Sequence, residues 1–581
     1  MRCILNENEI KTTVDLLLNK YELSTRFLNK LYGRELRADS EIILNDLQYI
    51  QFDKRNLCRL IVLREGVNLF AGSSDEKREL RKRILDKMSD NTIKNLYMKY
   101  PDKIKNIVDV SHMRKPLTRR KWHSGKTWAL DFVLASGFPK ILAGISSKRE
   151  NIKSSVEVIE PKKLIPSLVE YQEEMKEQLL KILKQEGQKS RCMISLPTGG
   201  GKTRIAVEAF LDWMESRFEE EKYLLWIAQS EELCEQCISC IEQMWKSREF
   251  ILPLKIYRYF SKYDFDLDEL QGGVVVASIN KIYSRIKKKD PVISNILMNT
   301  GAMIIDEAHR ASTKMYDVLF EEANYLTNNK LFSVCGLSAT PGRNTVISKT
   351  KDVEKLVDRF EVNLVTPKFQ DNQQYKENPL NFFKEKKYLA KVKHIIFKSN
   401  VEVILTDKEL NELERKGEYI QSLLNKLAKD TKRNKKILNR LLRIDRGNPT
   451  LVYACSVKHS KFLSTMLNIM GRKSAFIDSN TNKLERRIII KQFTEGKIEF
   501  LFNYNVLTTG FDAPKTKNIV ICRPINSDIL YEQIVGRGIR GTKFGGTEEC
   551  NVIDFSDNIL NLGKQQAFMR FKDYWDKEEN E

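Results

Sequence analysis

CMISLPTGGGKTRIAVEAFLDWM, residues 192–214, decides the fold. CMISL is short, apolar and flanked by a turn, so it reads as a strand. Three glycines follow, then Lys202 and Thr203, and RIAVEAFLDWM has helical apolar spacing. A strand, a glycine loop and a helix start in that order make an anion site. Small residues let backbone N–H groups wrap phosphates at the positive end of the helix. The spacing puts Thr198, Gly199, Gly200 and Gly201 in the loop. Lys202 then reaches the outer phosphates, and the Thr203 hydroxyl is placed to ligate Mg²⁺. Leu196 stands where the general pattern has its first glycine. A second triplet, Gly125-Lys126-Thr127, has neither a strand before it nor a glycine-rich turn, and is read as a chance match.

Working outward, short β-branched runs alternate with helical patterns: YLLWIAQ, GGVVVASI, AMIID and FSVCGLS, then TLVYACS, KSAFID, IEFLFNYN, NIVICRP and NVIDF. Strands that alternate with amphipathic helices imply βαβ units and parallel sheets covered on both faces. Two series imply two α/β lobes. The run AMII ends in Asp306-Glu307-Ala308-His309, 104 residues beyond Lys202. An acidic pair at the C-terminal end of a strand suits a metal–nucleotide site. Asp306 would hold Mg²⁺ and Glu307 would orient or deprotonate a water. The competing reading is acidic residues at a helix start; the phosphate loop upstream favours the metal site.

The chain has 581 residues, 41% hydrophobic and 9% aromatic, enough for sizeable cores. No run approaches the roughly 18 apolar residues of a membrane span, and the first residues lack a signal-peptide pattern, so the expectation is a cytoplasmic protein. Lys+Arg number 99 against 78 Asp+Glu, a net +21. Residues 77–126 hold 16 basic and 5 acidic residues, and residues 425–446 hold 9 and 2. Clustered positive charge favours nucleic acid, with a solvated helix face as the alternative. Cys234, Cys237 and Cys240 fall on one helix pattern, which does not close a tetrahedral metal site without a fourth ligand.

The expected organisation is a mainly helical basic domain over 1–157, a first lobe over 158–346, a linker with a basic helical hairpin over 347–446, a second lobe over 447–560 and a charged tail over 561–581. In the first domain Ser24 precedes an apolar face of Phe27, Leu28 and Leu31, and Ser73 with Glu76 reads as a capping box. Trp122, Trp128 and Phe138 lie among basic residues; they suit either base stacking or a core.

These motifs, in this order, resemble those of superfamily-2 helicases and translocases of the DEAH-box type. Within that group the chain is most similar to the motor subunits of type III restriction enzymes and to related DNA repair translocases, over about 165–560. The resemblance implies two tandem RecA-like P-loop lobes, ATP and Mg²⁺ as cofactors, and ATP hydrolysis coupled to movement on nucleic acid. Tyr171-Gln172 resembles the upstream motif that reads adenine. Ser338 and Thr340, in GLSATPGR, resemble the motif that couples hydrolysis to lobe movement. Gly510 and Asp512, in VLTTGFDAP, resemble the second-lobe motif beside the nucleotide. YEQIVGRGIRG supplies Gln533, Gly536, Arg537 and Arg540, whose arginines face the phosphates in this family. By the same resemblance Gln229, Ser278 and Thr508 would contact nucleic acid, mostly its backbone. Ser278 equally suits an N-cap.

The sequence departs from the family at Asn505, where an acidic residue is common, and at Gln229-Ser230. About 25 residues follow the last strand, too few for a nuclease domain. The resemblance therefore implies a DNA translocase or helicase in bacterial repair, restriction or phage (antiviral) defence, with a separate nuclease or effector as protein partner at the N-terminal domain. The alternatives are an RNA helicase and a nucleotide-gated binding switch.

Overall fold

The computed structural model describes residues 4–101, 109–145, 156–159, 167–196, 199–217, 220–248, 252–328, 332–338, 351–367, 379–416, 419, 421–504, 506–507, 513, 515–525, 528–560 and 576–577. Two parallel sheets organise the chain. The first contains β1 (Val156–Ile159), β2 (Arg191–Ser195), β3 (Tyr223–Ala228), β4 (Leu254–Tyr259), β5 (Gly273–Ser278), β6 (Thr300–Ile305), β7 (Ser333–Ser338) and β8 (Leu364–Val365). Their order is β1-β4-β5-β3-β6-β7-β2-β8, with only the β1–β4 edge pair antiparallel among the described strands. The second contains β9 (Lys391–Ile404), β10 (Thr450–Tyr453), β11 (Ser474–Ile477), β12 (Phe500–Asn503), β13 (Asn518–Ile521), β14 (Glu549–Leu560) and β15 (Asp576–Lys577), in the order β11-β12-β10-β13-β14-β9-β15.

The buried runs explain both sheets. β3 is buried along its whole length, as a central parallel strand must be. In the second sheet the faces alternate with period two. Leu451, Tyr453, Leu501, Ile519 and Ile521 enter the core that faces the first lobe. Val452, Phe500, Phe502, Val520 and Cys522 point to the opposite face.

That opposite face is covered by the N-terminal domain. Its helices include α1 (Glu7–Asp15), α2 (Thr25–Tyr32), α3 (Arg34–Asp46), α4 (Lys54–Glu65), α5 (Asp75–Lys87), α6 (Asp90–Lys99), α7 (Val110–Arg119) and α8 (Thr127–Ser136). Helix α2 starts at the Ser24 cap and buries Phe27, Leu28 and Leu31, as the spacing predicts. The α5 cap is Ser74, not Ser73: Ser74 Oγ accepts from the Lys77 amide. Both positions are serine, and the backbone angles choose between them.

Leu57, Leu60 and Ile61 of α4 share one continuous core with Phe462, Leu463 and Met466 of helix Val457–Ile469 and with Ile437, Leu438 and Leu441 of helix Thr431–Leu442. A buried carboxylate closes this junction. Glu65 lies 2.7 Å from Arg64 Nε, 3.0 Å from Lys77 Nζ and 3.3 Å from Lys461 Nζ. Trp122, Trp128, Phe132 and Phe138 pack in the same core against Phe70 and Tyr100. Of the two roles open to these aromatics, they fill the core.

The stretch 347–446 does more than connect. β8 extends the first sheet beside β2, and β9 pairs with β14 in the second. Instead of one hairpin, three helices follow, Asp407–Lys416, Gln421–Lys429 and Thr431–Leu442. Their basic residues are largely engaged within the chain. Lys429 pairs with Glu35, Lys435 with Asp46, and buried Arg433 donates to the Cys522 carbonyl at 2.6 Å.

Candidate active site

The glycine loop leaves β2 at Ser195 and enters α10 (Lys202–Glu215). Pro197 and Thr198 lie outside the described residues. Gly199 and Gly201 take φ of +87° and +89°, a left-handed backbone that a side chain disfavours. A Cβ on Gly201 would also stand 2.4 Å from Gln172 Nε2. Lys202 and Thr203 open the helix, where free N–H groups and the dipole favour an anion. Lys202 Nζ donates to the Leu196 carbonyl at 2.8 Å, so the amine lies back along the loop. Burial lowers its pKa, against the raising charges of Glu307, Asp306 and Glu532.

Helix α9 (Glu170–Leu183) braces the loop from behind. Tyr171 Oη donates to the Gly200 carbonyl at 2.7 Å, and Gln172 Nε2 donates to the same oxygen at 3.2 Å. Gln172 Oε1 accepts from the Val169 amide. Tyr171 in turn meets Phe383 and Tyr388, each with ring centroids at 5.0 Å.

The acidic pair lies at the end of β6. The Asp306 amide donates to the Ile227 carbonyl, continuing the ladder with β3. Glu307 sits at φ +52°, a conformation that costs a non-glycine residue energy and persists at sites that need it. The Glu307 amide donates to Asp306 Oδ1 at 3.0 Å, and Glu307 Oε2 is 3.3 Å from His309 Nδ1. Burial, then the neighbouring Glu307 charge, pushes the Asp306 pKa up. Burial would raise Glu307 too. The His309 hydrogen bond and the charges of His309, Lys202 and Arg537 together outweigh it and hold Glu307 below the usual range. Ser338 ends β7 in register with Ser195 of β2 and is buried. Thr340 lies outside the described residues.

The second lobe closes the site. Helix Asp528–Val535 carries Gln533, half-buried, on its last turn. Arg537 follows it, close enough for its charge to act on Lys202, Asp306 and Glu307. Arg540 bridges to Leu389, and both side chains stand over Gly199. The Ala390 amide donates to the Ile539 carbonyl at 2.9 Å. Thr508, Gly510 and Asp512 lie outside the described residues.

Gln229 follows β3 and Ser278 ends β5, at the same C-terminal edge of the sheet as Asp306. Gln229 Nε2 donates to Tyr316 Oη at 3.0 Å, and Ser278 caps the next helix through the Lys281 amide.

Sequence reading missed three contributors. His309 was legible as part of the acidic motif, but not its grip on Glu307. Glu532 carried no signal of its own. The third is a buried network beneath the arginine helix. Asp554 Oδ2 accepts from Tyr531 Oη at 2.7 Å and lies 2.6 Å from His394 Nε2. These residues come from three distant segments.

Chemically, the site offers an anion cradle and an amine, hard oxygen donors at Thr203 and Asp306 that suit Mg²⁺, and a carboxylate opposite an arginine from a separate lobe. Residues 165–343 match the type III restriction enzyme res subunit model, and residues 433–542 match the helicase conserved C-terminal domain. A Saccharomyces cerevisiae protein named ATP-dependent helicase IRC3 is 26% identical over 396 residues, 67% of this chain and 51% of that one. UvrABC system protein B of Thermotoga neapolitana is 24% identical over 35% of this chain and 31% of its own length. The Pyrococcus furiosus Hef helicase domain aligns at TM-score 0.42 and 16% identity, over 70% of this chain and 97% of that one. The chain spans about half the length of the IRC3 relatives it matches. Among the described residues no helix is long and apolar enough to cross a membrane. With a res-subunit domain in its first lobe and a helicase conserved C-terminal domain in its second, the chain carries the paired domains of a helicase-type ATPase.

Proposed function

We propose that this protein is an ATP-driven nucleic-acid translocase or helicase, acting on DNA in repair, restriction or phage defence. The observation that carries the reading is Arg537, brought by the second lobe to the half-buried Lys202, Asp306 and Glu307 of the first. Phosphoryl transfer needs positioning and charge stabilisation more than covalent chemistry. In this reading Lys202 and the loop residues Thr198–Gly201 hold the phosphates, Thr203 and Asp306 hold Mg²⁺, and Glu307 orients the attacking water. Gln533, Arg537 and Arg540 face the γ-phosphate. Arg537 stabilises the transition state only when the cleft is closed, so each turnover would close and reopen the lobes. Gln172 serves the adenine side, and Gly510 and Asp512 line the cleft. Ser338 and Thr340 couple hydrolysis to movement. Gln229, Ser278 and Thr508 contact the nucleic-acid backbone.

Steady-state ATPase of the full chain, alone and with duplex DNA, single-stranded DNA or RNA, tests the reading, with Glu307→Gln as the blank. Duplex stimulation, followed by strand or triplex displacement, is expected. Stimulation by RNA alone would replace DNA as the substrate. Turnover that no nucleic acid alters would favour a nucleotide-gated switch that docks a protein partner.

A further inference from the structure

The N-terminal domain carries a groove far in sequence from the ATP site. It is a cavity of about 540 Å³ lined by Ser24, Arg26, Phe27, Asn29, Lys30, Arg34, Glu79 and Arg83. Helix α2, the start of α3 and the exposed side of α5 form its walls. Elsewhere in the domain some surface cations are paired, Arg55 with Asp15, Arg59 with Glu7, Lys87 with Glu22 and Arg114 with Asp90, while others, such as exposed Lys11, Lys94 and Lys115, lie outside the groove. The groove gathers its cations at one concavity. Arg26, Lys30 and Arg34 are exposed and form no ion pair with another described residue. The groove's carboxylate, Glu79, is held by Arg83 at 2.9 Å, and Arg83 lies over the Phe27 ring at 4.6 Å. Four cations therefore converge on the groove, where Glu79 is already paired with Arg83 and Glu76 acts on Lys30 from nearby.

We infer that this groove binds the phosphate backbone of a nucleic-acid strand, as an anchor separate from the motor cleft. Arg and Lys in excess over carboxylates at one concavity suit phosphodiesters, which guanidinium groups bind in bidentate fashion. The position favours a polymer over a small anion. Arg83 belongs to the basic segment 77–126. Arg34 neighbours Glu35, which meets Lys429 of the other basic segment. The groove thus lies where the two positive segments approach each other. The domain shares its core with the second lobe, so the anchor travels with that lobe when the cleft opens and closes. This inference rests on the nucleic-acid reading of the motor.

The test compares two triple variants of the full chain, R26A/K30A/R34A in the groove and K11A/K94A/K115A on exposed positions elsewhere in the domain. Both remove three charges. Thermal melts establish that each is folded. Binding to duplex DNA, single-stranded DNA and RNA is measured from 50 to 200 mM salt. The groove variant should lose about tenfold in affinity and shed about two to three units of salt slope. It should keep its ATPase rate without nucleic acid. The control should lose much less. Equal losses would reduce the effect to diffuse charge and overturn the groove. Unchanged affinity in a groove variant whose ATPase nucleic acid still stimulates would overturn the groove alone. Failure of the wild type to bind any nucleic acid would overturn both the groove and the motor reading. Inorganic phosphate and tripolyphosphate serve as small-anion probes. If they bind the wild type and not the groove variant, while nucleic-acid affinity is equal, the ligand is a small anion.

Discussion

Two charge clusters, one at the domain junction and one in the cleft between the lobes, are built on opposite principles. At the domain junction one carboxylate, Glu65, is surrounded by Arg64, Lys77 and Lys461. Burial alone would raise its pKa, and the three cations reverse that and hold it well below the usual carboxylate range. Lys77 shares that single anion with two other cations, so for it burial wins and its pKa falls to about 8. In the cleft two adjacent carboxylates, Asp306 and Glu307, share a half-buried site and oppose each other, with Glu307 on a left-handed backbone. The junction satisfies its carboxylate within the fold. The cleft retains electrostatic tension that a metal and phosphates would relieve.

Substitutions can break or sharpen this contrast. Lys202→Ala should reduce ATP turnover to the Glu307→Gln background while leaving the melting temperature near wild type; near-normal turnover would remove the loop from the active site. Arg537→Ala should lower kcat by about 10³-fold or more, again with little loss of stability. A normal kcat would mean that the second lobe contributes no charge to the transition state. Glu65→Ala should do the reverse. It leaves three cations without their anion at a buried junction, a loss of about 3–5 kcal/mol in stability, read by denaturant melts. Its pH dependence has a definite sign. The folded pKa is depressed, so the Glu65 contribution is present above the unfolded pKa of about 4.3 and is lost as pH falls through the folded value. The difference in melting temperature between wild type and Glu65→Gln should hold from pH 5 to 7 and shrink below about 4. Smallest is Tyr531→Phe. Losing the hydrogen bond to buried Asp554 should cost about 1–3 kcal/mol, together with a modest drop in kcat as the helix bearing Gln533 loosens. A kcat drop without a stability loss would make Tyr531 part of the chemistry.

The cleft was legible in the sequence because its chemistry is local. Three glycines before Lys202, and an acidic pair closing an apolar run, state their geometry within a few residues. The strands were legible too, because a strand buried on both faces is a run of apolar residues. The junction was not. Helix α4, KRNLCRLIVLRE, is apolar around much of its circumference, which announces burial and says nothing of the partner. The charge excess of 425–446 read as free positive surface, yet Lys429, Arg433 and Lys435 find partners at Glu35, Cys522 and Asp46. Pairings across so many residues leave no periodic mark. Trp122, Trp128 and Phe138 were ambiguous for a related reason: an aromatic among basic residues has the same local sequence whether it stacks on a base or on Phe70.

The shared core also sets an order of events as the chain is made. Glu65 and Lys461 are 396 positions apart. At about 5–20 residues per second the second partner leaves the ribosome roughly 20–80 s after the first. For that interval the faces of α4 that will meet helix Val457–Ile469 have no native cover. The amino-terminal helices must wait while the whole first lobe is synthesised and folds, and the last strands of the second lobe then complete the oldest part of the chain.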